Sequence, residues 1–296
     1  MPILAPYGER GNKTSEFMTD ASTQPMLGSG LEIRPFAPDD VAEALRLSQQ
    51  VGWPHRSEDW ALALAVSEGV VAFDGTRIVG TACCSRFGTV ALINMIIVDE
   101  AMRGRGLGRR LMAAVMDFAR GSEMRLVATL EGLPLYEKLG FRATHRIFQH
   151  QGIAQTATPE LPVRVGSVPD VVRLAEMDHA ASGLDRRALL QRIAAQGEVL
   201  LAERGFALLR DFGRGRVIGP VVARDAAAAR SLIAEGMLRN AGTFLRIDLP
   251  EAAGLSDFVT TLGLAHVGDG TAMVRDPGPR PAGDITTYAL ASQALG

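Results

Sequence analysis

The sequence predicts a mixed α/β protein made of two halves that follow the same plan. Strand-like and helix-like patterns alternate from residue 31 onward, and their order in residues 163–275 loosely repeats that in residues 31–150. Between them lies a polar, aperiodic stretch, residues 151–162 (QGIAQTATPELP). The chain has 296 residues, 47% hydrophobic and 22% charged, which is enough apolar material for two ordinary cores. A net charge of −2 supplies no electrostatic footprint for nucleic acid or an anionic membrane. No apolar run reaches the roughly 20 residues that span a bilayer.

The elements of the first half can be read in order. LEIRPF is a strand, and Asp39-Asp40 can cap a helix running to about Gln50. Ser57 precedes a second amphipathic stretch, EDWALALAV. GVVAF, the Asp74-Gly75 turn and RIVGTACCSRF form a hairpin. TVALINMIIV is apolar on both faces, as a central strand is. A helix follows from Gly106 to about Arg120, with Leu107, Leu111, Ala114, Val115 and Phe118 at helical spacing. RLVATL is a strand, Pro134 opens a short helix to Leu139 with Gly140 as its cap, and FRATHRIFQH closes the half as a strand.

The second half reads as two helices (VPDVVRLAEMDH, DRRALLQRIAAQ), a hairpin (VLLAER with FALLRDF) and the strand RVIGPVVA. The helix AAAARSLIAEGMLRN, the strand TFLRIDL, a helix near 255–262 and a strand around 265–274 complete it. The expected domains are thus 18–150 and 163–275, joined by the linker 151–162. The tail, 276–296, begins as linker and ends apolar, so it is expected to dock on the body. Residues 1–17 read as a vector leader preceding Met18 and are set aside from fold reasoning. Cys83 and Cys84 are adjacent in a strand, which excludes an ordinary disulfide framework and fits a reduced, cytoplasmic compartment. Basic residues are almost all Arg, with Lys only at Lys13 and Lys138, a composition read here as bacterial codon bias.

The chemistry is concentrated in VDEAMRGRGLGRRL, residues 98–111. A buried strand runs into a loop carrying Gly104, Gly106 and Gly108, and a helix starts at once. Alternate glycines let the backbone approach a ligand, and the free N–H groups of the helix start, with the helix dipole, favour an anion such as pyrophosphate. Arg103 and Arg105 add forked positive charge. A dinucleotide fingerprint would need glycine where Arg109 stands, and a P-loop would need a lysine in this loop. A plain strand-to-helix turn is the remaining alternative on glycine spacing alone.

Arg103-Gly104-Arg105-Gly106-Leu107-Gly108 resembles the R/Q-x-x-G-x-G/A signature of the GNAT superfamily of N-acetyltransferases. The run LYEKLGF at 135–141 resembles the family's second CoA-contacting segment, and IRPFAPDD its usual first strand and helix. The resemblance covers about residues 31–150. It implies a GNAT fold followed by a second, degenerate GNAT-like half, because RDAAAARSL offers Asp225 and alanines where the glycines would stand.

The resemblance further implies that the amides of Arg105, Gly106, Leu107, Gly108 and Arg109 hold the pyrophosphate of acetyl-CoA. The strand edge at Ile96, Ile97 and Val98 would pair with pantetheine, and amides there could stabilise the oxyanion. Tyr136 is the implied general acid for the departing thiolate; plain packing is its alternative. The acceptor amine must lose a proton before it attacks. Asn94, Asp99, Glu100 and Glu131 are the open candidates for a base, each equally a capping or solvated residue. Tyr288 is a distant second acid if the tail folds over the site. Trp53, His55 and Trp60 fall in the segment that lines the acceptor pocket in the family, with packing the alternative for the tryptophans. No histidine pair has metal-ligand spacing, so no metal is expected.

The expected function is transfer of an acetyl group from acetyl-CoA to a primary amine of a small molecule. The alternatives are a non-catalytic CoA-binding sensor and a protein-lysine acetyltransferase. Neither nucleic acid nor a membrane is an expected partner, and the sequence leaves the oligomeric state undecided.

Overall fold

The computed structural model describes residues 30–279 and 283–296, so the expected leader, 1–17, lies outside the described residues. The first half comprises β1 (Leu31–Pro35), α1 (Val41–Gln50), α2 (Ser57–Leu64), β2 (Glu68–Asp74), β3 (Arg77–Phe87), β4 (Val90–Val98), α3 (Leu107–Phe118), β5 (Glu123–Ala128), α4 (Leu133–Lys138) and β6 (Arg142–Ile153). The second comprises β7 (Arg164–Val165), α5 (Val171–Ser182), α6 (Arg187–Gln196), β8 (Glu198–Ala202), β9 (Gly205–Phe212), β10 (Gly215–Ala223), α7 (Ala226–Arg239), β11 (Phe244–Pro250), α8 (Ser256–Thr261) and β12 (Ala265–Arg275). A last strand, β13 (Thr286–Ala289), lies in the tail.

Both halves belong to one mixed sheet, in the order β1-β2-β3-β4-β5-β12-β6-β11-β10-β9-β8-β7, with β13 on β10. β2 and β3 form the expected hairpin, closing at the Asp74–Arg77 pair. β4 is apolar on both faces because both are covered. Ala91 and Ile93 pack with Leu107, Leu111 and Val115 of α3, while Met95 and Ile97 pack with Leu47 of α1 and Trp60 of α2. The second half repeats this: Ile218 and Ile247 meet Leu232 and Ile233 of α7, and Leu201 and Phe206 meet Leu189 and Leu190 of α6.

The halves are interlocked. β12, from the second half, pairs with β5 and with β6 of the first, both antiparallel. β6 in turn pairs with β11. Each half therefore lends its last long strand to the other. Alternation of side chains marks a strand but does not name its neighbour, which is why the sequence reading shows two separate units. The expected linker also begins too early, because Gln151, Gly152 and Ile153 remain strand, paired to Arg246, Leu245 and Phe244. The polarity of that strand end gives it the look of a loop. Among the described residues no helix is long and apolar enough to cross a membrane.

Candidate active site

The strands β4 and β5 pair in parallel only over Val90–Leu92 and Glu123–Arg125. Beyond Leu92 they diverge. The divergence coincides with a bulge in β4, where the register against β3 shifts between Cys83–Asn94 and Thr81–Ile97. Met95 takes the left-handed conformation there, φ 51°, and Thr81 Oγ1 donates to its carbonyl at 2.7 Å. A non-glycine residue in this region is strained and persists only where its surroundings hold it. The edge of β4 from Ile96 to Val98 thus faces an opening, not a neighbouring strand of its own half.

At the end of that edge, Asp99 caps a short 3-10 turn, Glu100–Met102, by accepting from the Ala101 N–H, and it pairs with Arg77 at 2.6 Å. Asp99, considered as a base, is thereby committed to structure. Gly104 and Gly106 follow with φ 75° and 79°, and a Cβ on either would meet nothing within 4 Å. The left-handed backbone needs glycine, and the space above it is open. Gly106 is the N-cap of α3, with no side chain capping the first turn, so the N–H groups at the start of the helix lack a side-chain acceptor from the cap. Arg103, Gly104, Arg105 and Gly106 are exposed around this helix start, with Arg109 exposed in its first turn. Leu107 points into the core, and Gly108 lets α3 approach Leu135 and Val98. A loop with positive-φ glycines, open space and an uncapped helix start fits a pyrophosphate.

Tyr136 lies at the inner end of the cleft and lines a cavity of about 220 Å³. It is 7% exposed, and burial pushes its phenol up to about 12. The cavity wall continues through Asn94, Met95 and Ile96 of the bulge and through Trp53 and His55 of the α1–α2 connection. Trp60, by contrast, is fully buried core, stacked on Phe36. His55 does not behave as a surface histidine. Burial holds its imidazole down at about 4, opposed by Asp59 and reinforced by Arg246 and Arg210, and Nδ1 is buried without a partner. Asn94 donates to Ser85 Oγ at 2.9 Å, while its Oδ1 is buried and unpartnered. Glu131 stays outside, exposed, with its carboxylate held down by its own backbone N–H, by Thr129 and by Arg103. Tyr288 packs with the α7 core instead.

Gln149 of β6 also lines the cavity, and the remaining wall is not legible in the sequence because it comes from the second half and the tail: Phe212, Arg246 and Ser292–Ala294. Arg246 pairs with Asp248 at 3.0 Å and lies over the Phe212 ring. Arg210 lies over the same ring and reaches Asp59 at 3.3 Å, across the boundary between the halves. Desolvation lowers Arg210 to about 10. A signal for this exists in the sequence: Arg246 and Asp248 at alternate positions of the apolar strand TFLRIDL, and Arg210 within FALLRDF, put ions on a buried face, which requires partners.

The second half carries the same β4-like arrangement but fills it. β10 and β11 pair in parallel over Arg216–Ile218 and Leu245–Ile247, and β10 shifts register between Ile218 and Val221. Between β10 and α7 only Arg224 and Asp225 remain, and Asp225 accepts from Ala228 N–H at the helix start while pairing with Arg204. A carboxylate of the chain itself sits where the first half leaves room for an anion.

Comparison with known proteins agrees. The acetyltransferase (GNAT) family model matches residues 39–141, and an acetyltransferase (GNAT) domain model matches residues 174–289. The chain is 32% identical to the uncharacterized N-acetyltransferase YitH of Bacillus subtilis (strain 168), over 87% of this chain and 96% of that one. The chain belongs to the GNAT family of acetyltransferases. Its two GNAT domains share the single sheet. A putative acetyltransferase from Pyrococcus horikoshii has the same fold, with TM-score 0.79 at 22% identity over 94% of this chain and all of that one. A tandem GNAT protein from the clavulanic acid biosynthesis pathway has TM-score 0.58 at 15% identity, covering 84% of this chain and 99% of that one. GNAT enzymes take their acyl group from acetyl-CoA, the co-substrate that the resemblance of residues 103–108 implies.

Proposed function

We propose that the first half transfers an acetyl group from acetyl-CoA to a primary amine of a small molecule, by direct attack of the amine on the thioester. The observation that carries this reading is the cavity of about 220 Å³ at the bulge of β4, walled by both halves. A recess of this size, walled by both halves, suits a small amine better than a lysine presented by a folded protein. Arg103 to Arg109 would hold the pyrophosphate and the edge Ile96–Val98 the pantetheine; acetyl-CoA supplies an activated acyl group.

The chain's own residues then have separate tasks. The amides around Ile96, at the bulge, would supply the donors that an oxyanion needs. Tyr136, protonated throughout the physiological range, holds the proton that the departing sulfur takes. His55 is neutral at pH 7 and, held down at about 4 by burial, resists taking the amine's proton; it lines the cavity as a neutral hydrogen-bonding group, and the amine's proton leaves to solvent. Trp53 and Phe212 exclude water and hold the amine close to the thioester.

The test is calorimetric titration of acetyl-CoA, with NADH as a control, into wild type and Gly106→Glu. Wild type is expected to bind acetyl-CoA alone. The variant loses that binding, because it places a negative charge and a strained side chain at φ 79°. A screen of small amines for release of free CoA thiol follows. Binding without release by any amine would favour a sensor, acetyl-lysine on a protein would favour the protein-directed enzyme, and no binding by wild type would overturn the reading.

A further inference from the structure

In the first half the β4 edge Ile96–Val98 is open. In the second half, counting from the bulge in each strand (Asn94–Cys83 to Ile97–Thr81, and Ile218–Leu209 to Val221–Ala207) places Val221 and Val222 at the positions of Ile97 and Val98. That edge is occupied. β13 pairs with it antiparallel, Ala289 to Val221, Thr287 to Val222 and Thr286 to Ala223. An extended segment of the tail therefore lies where a pantetheine arm would lie, and Asp225 stands where its pyrophosphate would.

The chain continues in a defined way. Leu290 donates from its N–H to the Asp248 carbonyl at 2.9 Å. Its own carbonyl passes so close to Gly219, in the β10 bulge, that any Cβ there would collide with it. Ser292, Gln293 and Ala294 then enter the first half's cavity. Arg186, in a fully buried pair with Asp178, anchors the far end by donating to the carbonyls of Leu295, at 2.7 Å, and of Gly296. The segment is held on both sides of the cavity.

We infer that the tail is a built-in occupant of the second half's cofactor groove, and that this docking delivers Gln293 into the acceptor cavity as a specificity-determining residue. Its carboxamide faces Gln149 Oε1 and Asp248 Oδ1, both 3.4 Å from Nε2. Those contacts are long, so the group keeps hydrogen-bonding capacity for a ligand. With Arg246 it gives a polar lining to a cavity that also carries the aromatic Trp53. The acceptor class that fits is an amine carrying a second polar group, such as a hydroxyl, carbonyl or carboxylate, in preference to an alkylamine.

Two measurements test this, and the activity one alone rests on the acyl-transfer reading. Wild type and Gln293→Leu are compared with acetyl-CoA and a panel of L-amino acids, amino alcohols and n-alkylamines, alongside the Kd for acetyl-CoA. Gln293→Leu is expected to shift the kcat/KM ratio of polar over alkyl amines by about tenfold, the loss of one well-placed hydrogen bond, with the Kd unchanged. An unchanged ratio, with acetyl-CoA still bound, overturns the role of Gln293. The second measurement needs no turnover. The sequence has two tryptophans; Trp60 is fully buried, and Ala294 packs in the cluster that includes Trp53. Displacing the tail by Gly219→Val, or removing residues 290–296, is expected to redshift the emission of Trp53 and raise its quenching by acrylamide. Unchanged quenching in both variants overturns the docking. Failure of wild type to bind acetyl-CoA sinks the acyl-transfer reading and leaves this arm standing.

Discussion

Tyr136 keeps its proton because nearly all of its ring is out of water, and a phenol pushed up to about 12 does not ionise at physiological pH. Replacing it with Phe preserves the packing against Phe141 and removes only the hydroxyl. Tyr136→Phe is expected to lower kcat by about a hundredfold or more while the acetyl-CoA Kd holds, measured by steady-state thiol release and calorimetry. His55 makes a different prediction. Its folded pKa, about 4, lies below the ordinary 6.5, so between these values the unfolded chain binds a proton that the folded one refuses. Stability from this group is full above pH 6.5 and falls as pH drops toward 4, by up to about 1.4 kcal/mol per pH unit. Denaturant titrations of wild type and His55→Gln across that window should show the variant losing less.

Among the elements, β4, its loop and α3 were legible because the chemistry there is local. Positive-φ glycines, a helix start and an apolar strand lie within residues 90–118, and no distant partner is needed to recognise them. Tyr136 was legible for the same reason, through the run 135–141. The roles of β13 and of Ser292–Ala294 were not, since they depend on contacts with β10 and β11 about seventy residues earlier (Val221 to Leu290) and about forty residues earlier (Asp248 to Leu290). The buried environment of His55 is not legible in the sequence because it is made by Phe212, Arg210 and Arg246 of the other half. Asp225 could be seen replacing glycine, but only the fold shows its carboxylate taking the anion's place at the start of α7.

At the scale of the whole molecule, exchange of β6 and β12 makes the two halves one cooperative unit. Neither can complete its sheet alone, and the Asp59–Arg210 pair crosses between them with both side chains buried. Scanning calorimetry is expected to show a single transition with equal calorimetric and van't Hoff enthalpies. Residues 18–153 and 163–296 produced separately are expected to remain unfolded and to recover the transition when refolded together. Two independent transitions would contradict the interlocked sheet.

The same exchange has a consequence during synthesis. The edge of β5 waits for β12, which ends at Arg275, well over a hundred residues after Ala128. At an elongation rate of about 5–20 residues per second, the nascent chain carries that open edge for about 7 to 30 seconds. An unpaired strand edge is a template for the wrong neighbour, so crowding of ribosomes on one message favours pairing between adjacent nascent chains. The design that makes the finished protein cooperative leaves its growing form dependent on whatever shields β5 until the last strand emerges.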